Sequence, residues 1–381
     1  MKLKVILVIS GLILGTVFGI LVVLNFLVPK NDSSVINPLS PKKEVIGFLP
    51  YWLLDRATGD YSKYITTLTY FGVRVNSDGN IQKLLNPQQE EPGWYALESG
   101  KLNSFFSAAK RNNISLSLLV SSGDQTSIGQ LMNDPIKHAK NLLGDLNPLI
   151  EKYKFSDINL DIEYTSTASE GARTNFTKFV KEIKKGLGNK ITLTVEISPT
   201  DVILNDLIDP KAIGEIADNV VLMAYDYHST TSYVTGPVAP VGGAGIDSEY
   251  DVITALEKSI SVIPPEKLIL GVPLYGYEWE SLGQIPRSAI IPNTGLVLSN
   301  RRAEEFLSGC STCSAKLDKE AEEEYISYFN GDSNDYHMLF YPDENSMTKK
   351  INLVNSMQLK GIALWALGYE GNKILSPLVN Y

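Results

Sequence analysis

One short stretch concentrates the groups that can do chemistry. Residues 156–164 read Ser-Asp-Ile-Asn-Leu-Asp-Ile-Glu-Tyr. In an extended strand successive side chains point to opposite faces. Asn159, Asp161 and Glu163 therefore share one face, and Ile158, Leu160 and Ile162 share the other. Two residues of strand advance about 6.7 Å, so the three polar groups stand in a ladder. Turning such a ladder into a protein interior costs free energy unless it finds partners or serves a purpose. Two readings stay open on the pattern alone. One is a hydrogen-bonded polar layer in a core. The other is a carboxylate pair for acid–base work on a glycosidic bond.

Further candidates lie where other apolar runs stop. One run ends Leu222-Met223-Ala224-Tyr225-Asp226-Tyr227, placing Tyr225 and Asp226 at its exit. Another ends at Trp365, a third at Tyr51-Trp52, and a fourth runs through Tyr275-Gly276-Tyr277-Glu278-Trp279. Flat rings suit the apolar faces of pyranoses, although each ring taken alone fits core packing equally well. The chain holds 3 His (His138, His228, His337) and 2 Cys in 381 residues. That scarcity argues against a His- or Cys-built zinc site and against a Ser-His-Asp hydrolase. No metal and no cofactor are expected. The net charge of −9 argues against nucleic acid as a partner.

These residues need elements to hold them. From Glu44 onward short apolar runs alternate with amphipathic stretches. The strand candidates are Val45–Pro50, Thr66–Val73, Ile114–Val120, Asp157–Glu163, Ile191–Ile197, Asn219–Tyr225, Leu268–Leu274 and Gly361–Trp365. Helical patterns cover Gly100–Asn112, Ile136–Lys152, Ser169–Leu187 and Asp251–Ile263. Eight strands alternating with helices predict an α/β fold, a (β/α)8 TIM barrel, in which reactive groups sit at the C-terminal strand ends. A doubly wound sheet is the competitor, but no G-x-G-x-x-G follows the first strand. About 85 residues separate Tyr275 from Gly361, too many for a simple connection. They predict a small α+β insertion over 276–345, between strands 7 and 8. Its expected parts are strand pieces Gly295–Leu298 and His337–Tyr341 and a charged helix Asp318–Phe329. Met347–Gln358 reads as the barrel helix that follows.

The N-terminus differs. Val5–Val28 carries no charge and is long enough to span a bilayer as a helix, with Lys2 and Lys4 before it. No small-x-small cleavage site follows. Residues 1–28 are therefore expected to form a transmembrane signal anchor, with 29–43 as linker and 44–381 as an extracytoplasmic barrel. Cleavage would make that barrel secreted.

Taken together and in order, the motifs resemble glycoside hydrolase family 18. The family's fourth-strand D-G-x-D-x-D-x-E is matched here by S-D-I-N-L-D-I-E at 156–163. Ser121-Ser122-Gly123-Asp124 stands against S-x-G-G, Met223-Ala224-Tyr225-Asp226 against M-x-Y-D, and Leu270–Gly276 reads L-G-V-P-L-Y-G. Trp365 falls at the eighth strand, and the resemblance runs from about Glu44 to the C-terminus. Asn159 and the Tyr275–Trp279 run are similar to the bacterial subgroup tied to spore germination and peptidoglycan. The resemblance implies retaining, substrate-assisted hydrolysis of N-acetylglucosamine glycans, either peptidoglycan or chitin-like. It makes Glu163 the acid, Asp161 the residue that orients the substrate acetamido group, and Tyr225 a donor to that group. Asp226, Trp365, Asn159, Tyr51, Tyr275 and Tyr277 become substrate-binding candidates. A monomer is expected, with an N-acetylated polysaccharide and the membrane as partners.

The departures carry expectations of their own. Ser156 and Asp157 replace the motif's outer Asp-Gly, and Asn159 replaces its second Asp. In the fuller motif that Asp shares a proton with the residue at 161. An amide cannot, so Asp161 is expected to bond to Asn159 and to ionise more readily. Cys310 and Cys313 form a C-x-x-C. In an exported domain this reads as a local disulfide, not as a redox or zinc motif. Lys319–Glu324 reads as a solvated helix face, and His228 as a loop residue near the sixth strand. The competing function is a catalytically weak or inactive glycan-binding barrel, and the presence of both Asp161 and Glu163 weighs against it.

Overall fold

A computed structural model describes residues 43–381 except 166, 205, 247, 332 and 333. The expected membrane-spanning segment and nearly all of the linker lie outside the described residues. Among the described residues, no helix is long and apolar enough to cross a membrane.

The chain first forms β1 (Glu44–Pro50), β2 (Thr67–Arg74), β3 (Ser115–Ser122), β4 (Asp157–Ile162), β5 (Thr192–Ile197), β6 (Asn219–Leu222) and β7 (Leu268–Pro273). There follow β8 (Tyr275–Ser281), β9 (Leu296–Ser299), β10 (Lys316–Asp318), β11 (Glu323–Asn330) and β12 (Asp335–Tyr341), and finally β13 (Gly361–Trp365). The first seven and the last close into a barrel in the order β1-β13-β7-β6-β5-β4-β3-β2. Neighbours around the barrel run parallel. The (β/α)8 expectation therefore holds, and the doubly wound alternative falls, because β1 pairs with both β2 and β13.

Side-chain alternation builds two separate cores. Ile158, Leu160 and Ile162 of β4 face outward and pack with the helices, as do Leu193, Val195 and Ile197 of β5. Inside the barrel, Ile46, Phe48, Leu119, Val221, Ile269 and Ala363 make a smaller apolar cluster. Helix α1 (Pro135–Tyr153) starts where Asp134 accepts from Lys137 N, with Pro135 in its first turn. Helix α2 (Glu170–Leu187) starts at Ser169, which accepts from Ala172 N. It buries Phe176, Phe179, Val180, Ile183 and Leu187, a spacing of three and four residues that makes one face.

The insertion is a five-stranded sheet in the order β9-β8-β12-β11-β10. Here one expectation fails. Asp318–Phe329 is not a helix: β10 and β11 pair antiparallel across it. The Lys319–Glu324 run has strong helix formers, but the residues after it pair with β12 from Glu324↔Tyr341 to Asn330↔Asp335. Cross-strand packing overrides propensity. The turn is closed by Ala321 N donating to Asp318 Oδ1 at 3.1 Å, with Glu322 left-handed at φ 53°. Nor is the run wholly solvated. Glu323 is fully buried, accepts from Ala239 N at 3.1–3.2 Å, and faces the equally buried Lys350 at 4.0 Å. Lys350 belongs to α3 (Glu344–Ser356), the barrel helix expected near 347–358. Cys310 and Cys313 are joined as a local disulfide.

The buried pair ties insertion to barrel and can be tested. Lys350→Met leaves Glu323 without its counter-charge and should cost about 3–5 kcal/mol of unfolding free energy. Lys350→Met with Glu323→Gln should recover most of it, read by urea denaturation. An unchanged midpoint in the single variant would show that the pair does not couple the two parts.

Candidate active site

β4 delivers its polar face into the barrel in three tiers. At the base, Asp157 accepts from Ser117 Oγ (2.6 Å), Thr192 Oγ1 (2.6 Å) and Thr194 Oγ1 (2.8 Å). In the middle, Asn159 Nδ2 donates to Glu196 Oε1 of β5 at 2.6 Å. Above lies Asp161, only 4% exposed, whose Oδ1 has no hydrogen-bond partner among the described residues. Glu163 follows directly after β4, and its side chain is open to solvent at the mouth. Its backbone is held on both sides: Glu163 N donates to Ser122 O at 2.9 Å, and Gln125 Nε2 donates to Glu163 O at 3.0 Å. Gln125 Oε1 accepts from Thr165 N, which fixes the segment just beyond.

A cavity of about 150 Å³ opens above Asp161. Asp161, Glu163, Glu196, Tyr225 and Asp226 supply its polar side, and Phe48, Phe71 and Trp365 its apolar side. A second cavity of about 390 Å³ shares Glu163, Tyr225 and Asp226 and extends towards Leu204 and Tyr250. The two together make a cleft longer than one small ring. Trp365 is braced edge-on by Phe71, with ring centroids 5.0 Å apart, and lies 5.6 Å from Phe48. Trp52, 44% exposed, stands 6.4 Å from Trp365 at the rim.

β6 ends at Leu222, three residues earlier than the apolar run suggests. The chain then turns tightly, with Asp226 at φ 61°. This left-handed region is steep for most side chains and more tolerable for Asp. The turn lets Tyr225 and Asp226 both reach the cavity although they are neighbours in sequence. Gly271 on β7 makes room for them: a Cβ there would lie 2.7 Å from Leu222 O and 3.0 Å from Tyr225 Cε1.

Several expected site residues hold other positions. Tyr275 and Tyr277 do not present rings to the cavity. They are buried, and both hydroxyls donate to Asp226 Oδ1, that of Tyr277 at 2.7 Å. They share one face of β8 with Trp279, packed on Met338 and Phe340, so their rings belong to the insertion's core. Tyr51 begins a 3-10 turn, Tyr51–Leu53, which breaks the strand alternation and packs its ring against the outer core. Asn159 is fully buried below the cavity. Its amide bonds to Glu196, not to Asp161. His228 is a buried pin, with Nδ1 on Pro237 O at 2.9 Å.

Burial, and then the charge of Glu163, push the Asp161 carboxyl well above the ordinary range. Partial desolvation by the surrounding cleft also raises Glu163, with the charge of Asp226 adding to it. Glu196 is pushed well up by burial and then by Asp161. Asp226 rises by burial, opposed by its two tyrosine bonds. Glu196 was missed because it sits inside an apolar run, Thr192–Ile197, and not at its end. Its signal was the alternation Thr194, Glu196 on the face opposite Leu193, Val195 and Ile197. Among the described residues, no group of three or more His, Cys, Asp or Glu is arranged to hold a metal ion.

Comparison with known proteins agrees with this geometry. The model of glycosyl hydrolases family 18 matches residues 44–370. The chain is 24% identical over 328 residues to a cortical fragment-lytic enzyme of Bacillus subtilis (strain 168), covering 83% of this chain and 67% of that one. Among solved structures, a Group IV chitinase of Ostrinia furnacalis in complex with allosamidin shares the fold. Its TM-score is 0.76 at 22% identity, covering 89% of this chain and 98% of that one. The spore cortex-lytic enzyme of Bacillus megaterium QM B1551 shares it too, with TM-score 0.70 at 23% identity, covering 89% and 74%.

The tyrosine bonds to Asp226 generate a pH prediction. A hydrogen bond to the ionised form favours ionisation. Removing both donors in Tyr275→Phe with Tyr277→Phe should therefore move the Asp226 titration to higher pH. Carbon-13 NMR of the Asp carboxyls reads this, and an unmoved Asp226 would show that the tyrosines do not govern it.

Proposed function

The chain belongs to glycosyl hydrolases family 18, and on that premise we propose that it hydrolyses β-1,4 bonds of N-acetylglucosamine-containing glycans, peptidoglycan or chitin-like, with retention of configuration. The observation that carries the reading is the buried Asp161 carboxylate, whose Oδ1 lacks a partner beneath Glu163 and beside Tyr225. A buried acceptor without a donor is costly, and an acetamido N–H in the cavity would satisfy it. Relatives named for spore-cortex lysis and for chitinase activity support both substrate classes.

The steps follow from the tiers. Glu163, whose carboxyl desolvation and the charge of Asp226 push above its ordinary range, gives its proton to the glycosidic oxygen as the C1–O bond breaks. The substrate's own acetamido oxygen closes on C1 and forms an oxazolinium ion, so no carboxylate nucleophile is required. Asp161 accepts the acetamido N–H and faces the positive charge that develops there. The Tyr225 hydroxyl, kept protonated because burial pushes its pKa far up, donates to the acetamido oxygen. Trp365 floors the sugar, and Asp226 meets its hydroxyls. Glu163, now ionised, takes a proton from water as the water opens the ring at C1.

Glu163→Gln should lower kcat by about 10²–10⁴-fold, and Asp161→Asn by about 10²–10³-fold, with KM little changed. Chitooligosaccharides and purified peptidoglycan serve as substrates, and mass spectrometry identifies the bond cut. Wild-type rates in Glu163→Gln on both would sink the reading. So would equal cleavage of a de-N-acetylated oligomer, since that substrate has no acetamide to assist.

A further inference from the structure

Inside the barrel, one small volume is short of donors. Asn159 Oδ1, Asp161 Oδ1 and Glu196 Oε2 are all buried without a hydrogen-bond partner. All three are acceptors when the carboxyls are ionised. The strands explain why they meet. β4 and β5 pair with Asn159 opposite Thr194 and Leu160 opposite Val195. One residue further along, Asp161 and Glu196 project into the barrel from adjacent strands. Asn159 Nδ2, at 2.6 Å from Glu196 Oε1, holds the Glu196 carboxyl in that place. Both carboxyls are nearly inaccessible, at 4% and 3% exposure.

No cation relieves them: among the described residues lining the cavity there is no Lys, Arg or His. The titratable groups facing Glu196 are Asp157, Asp161 and Glu163 of the β4 ladder, and Tyr225 beyond β6. Asp226 stands on the same cavity wall. A single proton relieves the two carboxyls. It removes one of two adjacent charges and turns one acceptor into a donor.

We propose that Glu196 is a positioning residue, a carboxylic acid that shares one proton with Asp161 and so fixes the Asp161 carboxylate for the substrate acetamide. The inference rests on the hydrolytic reading above. The proton passes only between the two carboxyls. Glu196 forms and breaks no bond to substrate, and no other reactant is needed. The role places on β5 an acid that the β4 ladder lacks at Asn159. Burial drives both groups in the required direction, with Asp161 adding to the rise at Glu196. Two carboxyls coupled in this way titrate as a pair.

Two variants separate positioning from packing. Glu196→Gln replaces the acid that donates to the Asp161 carboxylate with a weaker donor, so Asp161 ionises at higher pH. The acid limb of the kcat profile should move up by about one unit. Glu196→Leu keeps bulk but offers no donor, so kcat should fall at least tenfold, with KM within threefold. Glu196→Gln should retain more kcat than Glu196→Leu, because an amide can still donate to Asp161. Purely structural action predicts the opposite pattern: both variants lose thermal stability and activity together, the acid limb stays in place, and the proposal falls.

A readout independent of turnover is carbon-13 NMR of Glu carboxyls. The wild type should show a protonated Glu carboxyl at pH 7 that Glu196→Gln abolishes. Its absence from the wild type overturns the shared proton whatever the rates show. Wild-type protein that cleaves no N-acetylglucosaminide overturns the hydrolytic reading instead, and the NMR result still decides the shared proton.

Discussion

Carboxyls crowd one side of a closed barrel with no cation among the described residues that line the cavity, and the surrounding structure answers to that constraint. Asp157, Asp161 and Glu163 descend from one strand, and Glu196 comes from the next. Two like charges about 4 Å apart repel by about 4 kcal/mol at an effective dielectric near 20. Full ionisation is therefore disfavoured tier by tier, and each tier resolves it differently. Three hydroxyls stabilise Asp157 at the base. An amide braces Glu196 in the middle. At the top, Glu163 opens to solvent and to whatever occupies the cleft.

The opposite half of the barrel interior makes this crowding effective. Ile46, Phe48, Val221, Ile269 and Ala363 form an apolar wall that excludes water from the carboxyl side. A wet barrel would let the acids ionise closer to their ordinary values. Closure matters for the same reason. A barrel has no edge along which the β4–β5 pair could spread, so repulsion is met by proton retention and not by movement.

Much of this was legible in the sequence because alternation with period two survives inspection by eye. The β4 ladder, the eight strands and the exits at Tyr225, Asp226 and Trp365 all follow from where polar residues interrupt apolar runs. What escaped has specific causes. Glu196 lies inside its run, one residue before the strand ends, and an acid there looks like an outward-facing residue until the face of its neighbours is counted. Tyr275 and Tyr277 read as substrate-facing rings at a strand end, whereas their hydroxyls meet Asp226 and their rings enter an apolar core. The register that puts Tyr277 opposite Phe340, and so in an apolar core, is a long-range pairing. The Asp318–Phe329 segment carries helix formers, and only its pairing with β12 makes it a strand.

That pairing bears on the site itself. By length and position the 276–345 region looks like an appendage, yet β8 begins one residue after β7 ends. Its first two tyrosines hold the Asp226 carboxylate, and Trp279 Nε1 donates to Ser229 O at 3.0 Å, pinning the segment after β6. Asp226 occupies a left-handed conformation that the local sequence does not favour. Something outside the loop must hold it there, and the buried face of β8 packed on Met338 and Phe340 supplies that hold. Asp226 in turn raises Glu163 and so helps to keep the acid protonated. The insertion thus supports the catalytic cleft from behind, reaching the acid through a single carboxylate.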